Sequence, residues 1–311
     1  HALAMFDRVI FVDHRSTDGT GQYLRLLADT HPRLEYFLFD EPGYYQSEVM
    51  TWVVKNIVGP VYSGWVFFLD VDEYLPYSSR SALDNELKSY TSFPVISMPW
   101  QNLVPIDMKT GQVKGGHFLK PSKTSIISKI AFQPCLMPVD EYVVAQGNHA
   151  LLIGEVHQKI FPAKAAFPLL HIPIRTKQQL CEKIKIGVES YKRMGVGRVN
   201  NSGFHWDEIS RLLETCCLNY DLMAGIVASY GEPLQPPYGK SMKVLIQEGY
   251  SEIKLDICMI EQIASFDEIH LFHMVESEIL TATYQKEKQI SRQGLSIVLN
   301  PESSVLSFEI N

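Results

Sequence analysis

Residues 65–69, Trp-Val-Phe-Phe-Leu, are five apolar side chains in a row, and the chain leaves them through Asp70, Val71, Asp72 and Glu73. An unbroken apolar run of this length reads as a strand buried on both faces. Such a strand needs cover above and below, which points to an α/β architecture. Carboxylates at its exit lie at the edge where open α/β sheets bind ligands. Three acids so close repel one another, and a divalent cation relieves that repulsion most directly. Oxygen-only ligands favour Mg²⁺ or Mn²⁺ over zinc. The competing reading is a solvated acidic turn in which Asp72 caps a short helix.

The surrounding pattern extends the α/β reading. Residues 8–13 (RVIFVD) form a short buried strand and run into the polar turn 14–20. Residues 22–30 carry Leu24, Leu27 and Ala28 at helical spacing, and 34–39 are a second strand. Residues 47–57 place Val49, Trp52, Val53 and Ile57 on one helical face before the acidic strand. This alternation predicts a Rossmann-like, mostly parallel sheet with helices on both faces, and residues 95–100 supply another strand. From 101 to 167 the pattern is irregular and β-like, with short runs at 125–132, 142–145 and 150–153. Helices are predicted at 177–194 and 207–228. The segment 231–239 (GEPLQPPYG) is the best boundary, giving a domain over 1–230 and a helical and β extension over 231–311, with strands at 296–299 and 305–310.

Composition narrows the function classes. A net charge of −7 argues against nonspecific nucleic-acid binding, which needs a basic surface. No apolar run approaches the roughly 18 residues of a membrane span. Five cysteines without a C-x-x-C pair point to reduced thiols in a cytosolic setting. The opening His1-Ala2-Leu3-Ala4-Met5-Phe6-Asp7, already close to a strand, leads us to expect a fragment of a longer polypeptide.

Asp13 ends the first strand, where a carboxylate can accept hydrogen bonds from a nucleotide base or ribose. The Ser16, Thr17 and Asp18 side chains suit the N-cap of the next helix, and Gly19 permits a tight turn.

VDHRSTDGT (12–20) followed by FFLDVDEYL (67–75) resembles the nucleotide-binding turn and D-x-D metal motif of family 2-type glycosyltransferases with the GT-A fold, in particular a bacterial subgroup with a D-x-D-E signature. Tyr45-Gln46-Ser47, Gly147-Asn148-His149 and the segment 170–176 (LHIPIRT) leading into QQLCEKIKIG also fit. The likeness covers roughly residues 1–210. His14 departs from it, since many relatives carry a second aspartate there. The resemblance implies a cytoplasmic enzyme of polysaccharide biosynthesis, peripheral to the inner membrane at most. It would transfer a sugar, with inversion, from a nucleotide sugar (UDP the first choice) to a glycan or lipid-linked acceptor.

The resemblance also implies roles. Asp72 would hold Mn²⁺ or Mg²⁺ on the diphosphate, with His171 as a further metal ligand. Asp13, Ser16, Gln46 and Asp70 would contact the nucleotide sugar, and Lys129 and Arg175 would clamp phosphates. The general base is sought at Asp140, Glu141 or His149, with Asp107 a rival. Glu73 is expected to bond backbone amides or acceptor hydroxyls. Trp100 and the pair His205-Trp206 could stack on sugar rings, although packing is the stronger reading of Trp100. The alternatives are a nucleotidyltransferase, for which no Gly- and Lys-rich phosphate loop is visible, and a non-catalytic scaffold retaining the fold.

Overall fold

The structure of the chain is a computed structural model, which describes all residues except 60–61, 138–141, 154–158, 195–202, 260–290, 293–294, 301–303 and 311. In chain order the first elements are α1 (Ala2–Met5), β1 (Val9–Asp13), α2 (Thr20–Thr30), β2 (Leu34–Phe39), α3 (Gln46–Val53), β3 (Val66–Phe67), β4 (Glu73–Tyr74), α4 (Arg80–Leu87), β5 (Val95–Asn102), β6 (Val104–Pro105), β7 (His117–Pro121) and β8 (Ser128–Phe132). There follow β9 (Tyr142–Val144), β10 (Leu151–Ile153), β11 (Lys159–Ile160), β12 (Lys164–Ala165), β13 (Leu169–His171), α5 (Lys177–Met194), α6 (Phe204–Thr215), α7 (Tyr220–Ala228), α8 (Met242–Gln247), β14 (Tyr250–Lys254), β15 (Ser291–Arg292), β16 (Leu295–Asn300) and β17 (Val305–Ile310). Two compact units result: His1–Pro42, Ser79–Asp84 and Cys258–Asn311 form one, and Gly43–Ser78 with Asn85–Ile257 the other.

In the first unit β1 and β2 are parallel, Val9 opposite Leu34, joined through α2. Leu27 of α2 meets Leu3 and Leu34, flanked by Val9, Phe11 and Tyr23, as the helical spacing of its apolar residues requires. The C-terminal strands extend this sheet: β17 lies parallel to β2, and β16 and β15 continue it antiparallel.

The second unit is built on a sheet of order β3-β8-β5-β13-β4, with β12 also on β5. Only the β13–β5 and β12–β5 pairs are parallel; β3–β8, β5–β8 and β13–β4 are antiparallel. The α/β class is therefore as expected, but the sheets are mixed rather than mostly parallel. The apolar run at 65–69 explains part of the difference. It yields only a two-residue edge strand, β3, and within it Phe68 alone is buried, the rest half-buried. Phe68 stacks on Phe132 with centroids 5.7 Å apart, in a cluster with Val95, Ile130, Tyr142, Val144 and Leu151. A run that is apolar because it anchors an edge into one core looks, in sequence, like a central strand.

The helix expected over 47–57 is α3 continued by a π-helical turn over Val54–Val58, and the one over 177–194 behaves as its spacing predicts. Leu180, Ile184, Gly187 and Tyr191 of α5 are buried, one face at i, i+4, i+7 and i+11. The single helix expected over 207–228 is two. Asn219 caps α7 by accepting from the Leu222 amide at 2.9 Å, so the chain restarts rather than continues. No helix among the described residues is long and apolar enough to cross a membrane.

Candidate functional site

The chemistry of the second unit gathers where β4, β5 and β13 run side by side. His171 lies opposite both Glu73 and Asn102 in the ladders, and the Ile172 amide donates to the Asp72 carbonyl at 2.8 Å. This pairing brings the Asp72 carboxylate, one residue before β4, to the His171 ring: Oδ2 is 3.8 Å from Nε2. His171 Nδ1 is 2.7 Å from the Asn102 side-chain oxygen, which can only accept. The proton therefore sits on Nδ1 and the Nε2 lone pair faces Asp72. Asn102 is itself fixed by donating to the Tyr230 carbonyl at 3.0 Å. The imidazole stacks on Trp100 with centroids 4.0 Å apart.

Each acid of the cluster has a partner of its own. The Lys183 ammonium, from α5, donates to Asp72 Oδ2 at 2.6 Å and to the Pro173 carbonyl at 3.0 Å. Lys129, from β8, donates to Asp70 Oδ2 at 2.7 Å and lies 3.5 Å from Glu73 Oε1. Asp70 also accepts from Gln46 Nε2 at 3.1 Å. The Gln46 side-chain oxygen in turn accepts from the Gly147 amide and the Tyr44 hydroxyl, both at 3.1 Å. Glu73 accepts from the Asp70 amide at 2.8 Å, as its sequence reading allowed, and from Trp100 Nε1 at 2.7 Å.

Burial and charge set the protonation states. Burial alone would raise the Asp72 carboxyl, but Lys183 and His171 outweigh it and hold it well below the usual carboxylate range. For Glu73 burial wins and pushes the carboxyl up to about 8, the Asp70 and Asp72 charges adding to it and Lys129 opposing. Burial lowers His171 to about 3 and, with Lys129 beside it, His149 to about 4. Burial would also depress Lys129 and Lys183, yet their carboxylates keep both raised. At neutral pH Asp72 is thus held ionised between two ammoniums and neutral histidines, and burial favours the protonated form of Glu73.

The structure brings together Gln46, Asp70, Asp72, Lys129, His149 and His171 of the residues picked from sequence. His149 Nδ1 donates to the Ser128 carbonyl at 2.8 Å, and its ring stands edge-on to Trp100 at 5.4 Å. It follows a turn in which Gly147 (φ 74°) and Asn148 (φ 58°) are both left-handed. Asn148 is buried, and its Oδ1 has no hydrogen-bond partner among the described residues, a local strain of the kind found at functional sites. Arg175 lies near enough for its charge to act on the Tyr74 hydroxyl. Asp107 caps its own turn through the Lys109 amide at 2.8 Å. Trp100 is a packing residue, its face covered by His171, and Trp206 Nε1 donates to the Tyr230 hydroxyl at 3.0 Å. Asp140 and Glu141 fall outside the described residues.

Asp13 and Ser16 belong to the first unit. The buried Asp13 carboxylate accepts from the Ser16 amide at 3.2 Å, from the Ser16 hydroxyl, and from the Tyr36 hydroxyl at 3.2 Å. Asp18 accepts from the Thr20 amide at 3.0 Å in an Asx turn, while the N-cap of α2 is Gly19 (φ 89°) with no side-chain cap, so none of Ser16, Thr17 and Asp18 takes the N-cap position expected for them.

Lys183, Asn102 and Tyr230 were not singled out from sequence. The available signal was slight: Lys183 borders the apolar stripe of α5 one position before Ile184, and Asn102 is a polar residue closing a buried strand.

The donor set accommodates a divalent ion in part. Among the described residues no three His, Cys, Asp or Glu side chains form a metal-holding group. Asp72 and His171 are a pair: at bonds of about 2.1 Å, adjacent octahedral donors lie roughly 3.0 Å apart, so their 3.8 Å needs under about 1 Å of closure. The remaining positions would fall to phosphate oxygens and water. The chain matches no family model, no curated protein and no solved structure.

Proposed function

We propose that this chain is a metal-dependent glycosyltransferase of the GT-A type, transferring a sugar from a nucleotide sugar, with UDP the first donor to test, to a hydroxyl of a glycan or lipid-linked acceptor. The observation that carries the reading is the convergence of Asp72 with His171, a residue 99 positions later, beside Asp70, Gln46 and Lys129. The sequence resemblance assigns these residues to one site, and their proximity supports that reading.

In this reading Asp72 and His171 hold the ion, which supplies Lewis-acid stabilisation of the departing diphosphate. His171 is suited to the role because Asn102 fixes its tautomer and burial keeps it neutral. Asp70, oriented by Gln46 and Lys129, offers a carboxylate edge to donor hydroxyls. Arg175 supplies positive charge for phosphate, whereas the Lys129 ammonium, expected from sequence to clamp it, is 0% exposed and held by Asp70 and Glu73, and serves to fix the Asp70 carboxylate. Asp140, Glu141 and His149 are the groups assigned to take the acceptor's proton. Burial keeps His149 neutral, so its Nε2 is able to accept one, although a value of about 4 makes it a weak base. The non-catalytic reading draws on one observation, that every acid of the cluster already has a protein partner.

Thermal melts with UDP, GDP or CMP, each with Mn²⁺, separate the readings. A glycosyltransferase gains stability with one nucleoside diphosphate plus metal, and hydrolyses one nucleotide sugar of a panel at a rate that Asp72→Asn abolishes. No shift with any nucleotide, or turnover that survives Asp72→Asn, ends the proposal.

A further inference from the structure

Two lysines serve this cluster, and their surroundings differ in one respect. The Lys129 side chain is 0% exposed and its ammonium is enclosed by Asp70, Glu73 and the Trp100 ring. The Lys183 side chain is 26% exposed and enters from a helix flank. Its ammonium rests on Asp72 Oδ2, the oxygen nearest the His171 lone pair, and is steadied by the Pro173 carbonyl and by the Tyr230 ring, whose centroid is 4.9 Å away. It therefore sits on the oxygen that an ion shared between Asp72 and His171 would need.

We infer that Lys183 is the resident cation of the Asp72–His171 pair: its ammonium keeps free divalent ions off the pair and gives way when a diphosphate brings the negative charge to receive it. The argument is one of charge. With Asp70 matched to Lys129 and Asp72 to Lys183, adding a divalent ion alone would leave an excess of positive charge in a half-buried site. A nucleoside diphosphate reverses that balance. A lysine is suited to the exchange, being a compact charge on a flexible stem, and the partial exposure of Lys183 leaves it room to move that Lys129 lacks. The inference rests on the metal-binding part of the proposed function, not on sugar transfer itself.

The test is Mn²⁺ binding, read from the electron paramagnetic resonance signal of the free ion, for the intact chain and for Lys183→Met, Lys183→Arg and Lys183→Met/His171→Ala, with and without UDP. Without nucleotide, Lys183→Met is expected to bind Mn²⁺ at least tenfold more tightly than the parent. Lys183→Arg, which keeps the charge, should stay as weak as the parent, and the added His171→Ala should remove the gain. UDP should tighten Mn²⁺ binding by a larger factor in the parent than in Lys183→Met. Equal or weaker Mn²⁺ affinity in a cooperatively melting Lys183→Met overturns the inference, as does a gain shared by Lys183→Arg. If no variant binds Mn²⁺ even with UDP, the metal reading falls and the inference with it. Tight binding by Lys183→Met in a protein that turns over no nucleotide sugar sustains the inference while ending the transferase reading.

Discussion

Lys129→Met probes the electrostatics of the site most directly, because it removes a buried charge and keeps an apolar stem of similar volume. Breaking one side of a buried ion pair typically costs roughly 3–5 kcal/mol. Two features of this site alter that figure. The Asp70 side chain is 38% exposed, so water replaces much of what Lys129 supplies, and that pair is discounted to about 1 kcal/mol. Glu73 is fully enclosed and escapes by holding a proton, which burial already favours up to about pH 8. Its folded value lies above the 4.5 of the unfolded chain, so the native state carries the extra proton in that window and stability falls as pH rises through it. Above about pH 8 the parent has ionised Glu73 beside Lys129 and loses no more. The variant, lacking the ammonium, keeps the proton longer and goes on losing up to about 1.4 kcal/mol per pH unit. The deficit should therefore grow from roughly 1 kcal/mol at pH 6.5 to roughly 3 kcal/mol at pH 9.5. Urea denaturation followed by tryptophan fluorescence at those two pH values measures it. A deficit that is the same at both, or that persists with its pH dependence in Lys129→Met/Glu73→Gln, refutes the assignment of Glu73 as the buried proton carrier.

Acid should act on the buried imidazoles. Burial holds His149 and His205 at about 4 and His171 at about 3, below the roughly 6.5 of an unfolded chain. Their stabilisation is complete above pH 6.5 and is lost as pH falls towards those values, each at up to about 1.4 kcal/mol per unit. Denaturation midpoints that stay flat from pH 6.5 to 5, or histidine proton resonances titrating near 6.5 at all three sites, would contradict this. Packing makes a separate demand at Gly225, where an added Cβ would stand 1.8 Å from the Tyr238 carbonyl oxygen, a backbone atom that cannot swing away. Gly225→Ala should cost about 3 kcal/mol or more in urea melts, and a loss under about 1 kcal/mol would show that α7 and the 238–240 segment are not so closely apposed.

Local signals carried part of the fold. The spacing of Leu24 and Leu27 identified α2, the mostly apolar segment 34–39 was legible as β2, and the parallel β1–β2 pair followed from strand, helix and strand in close succession. The terminal strands were legible from their alternation, although their addition to β2 was not. The run at 65–69 misled because length and hydrophobicity do not separate an edge strand anchored in one core from a central strand covered on both faces. The helix expected over 207–228 hid its break, since Asn219 is a cap only when the chain before it leaves helical geometry.

At the candidate site the sequence by itself determined which groups could do chemistry: acids at the end of an apolar run, a histidine before a helix, an amide and a lysine in between. Only the tertiary structure decided how they are used. It placed His171 on Asp72 through the pairing of β13 with β4, and it matched Asp70 to Lys129 and Asp72 to Lys183, a residue 111 positions away. In sequence the acidic cluster stands without counter-ions and implies a cation; in the fold Lys129 and Lys183 already supply two. Charge acts through space, whereas periodicity acts along the chain, so the two lysines that balance the cluster could be found only once the fold had brought them to it.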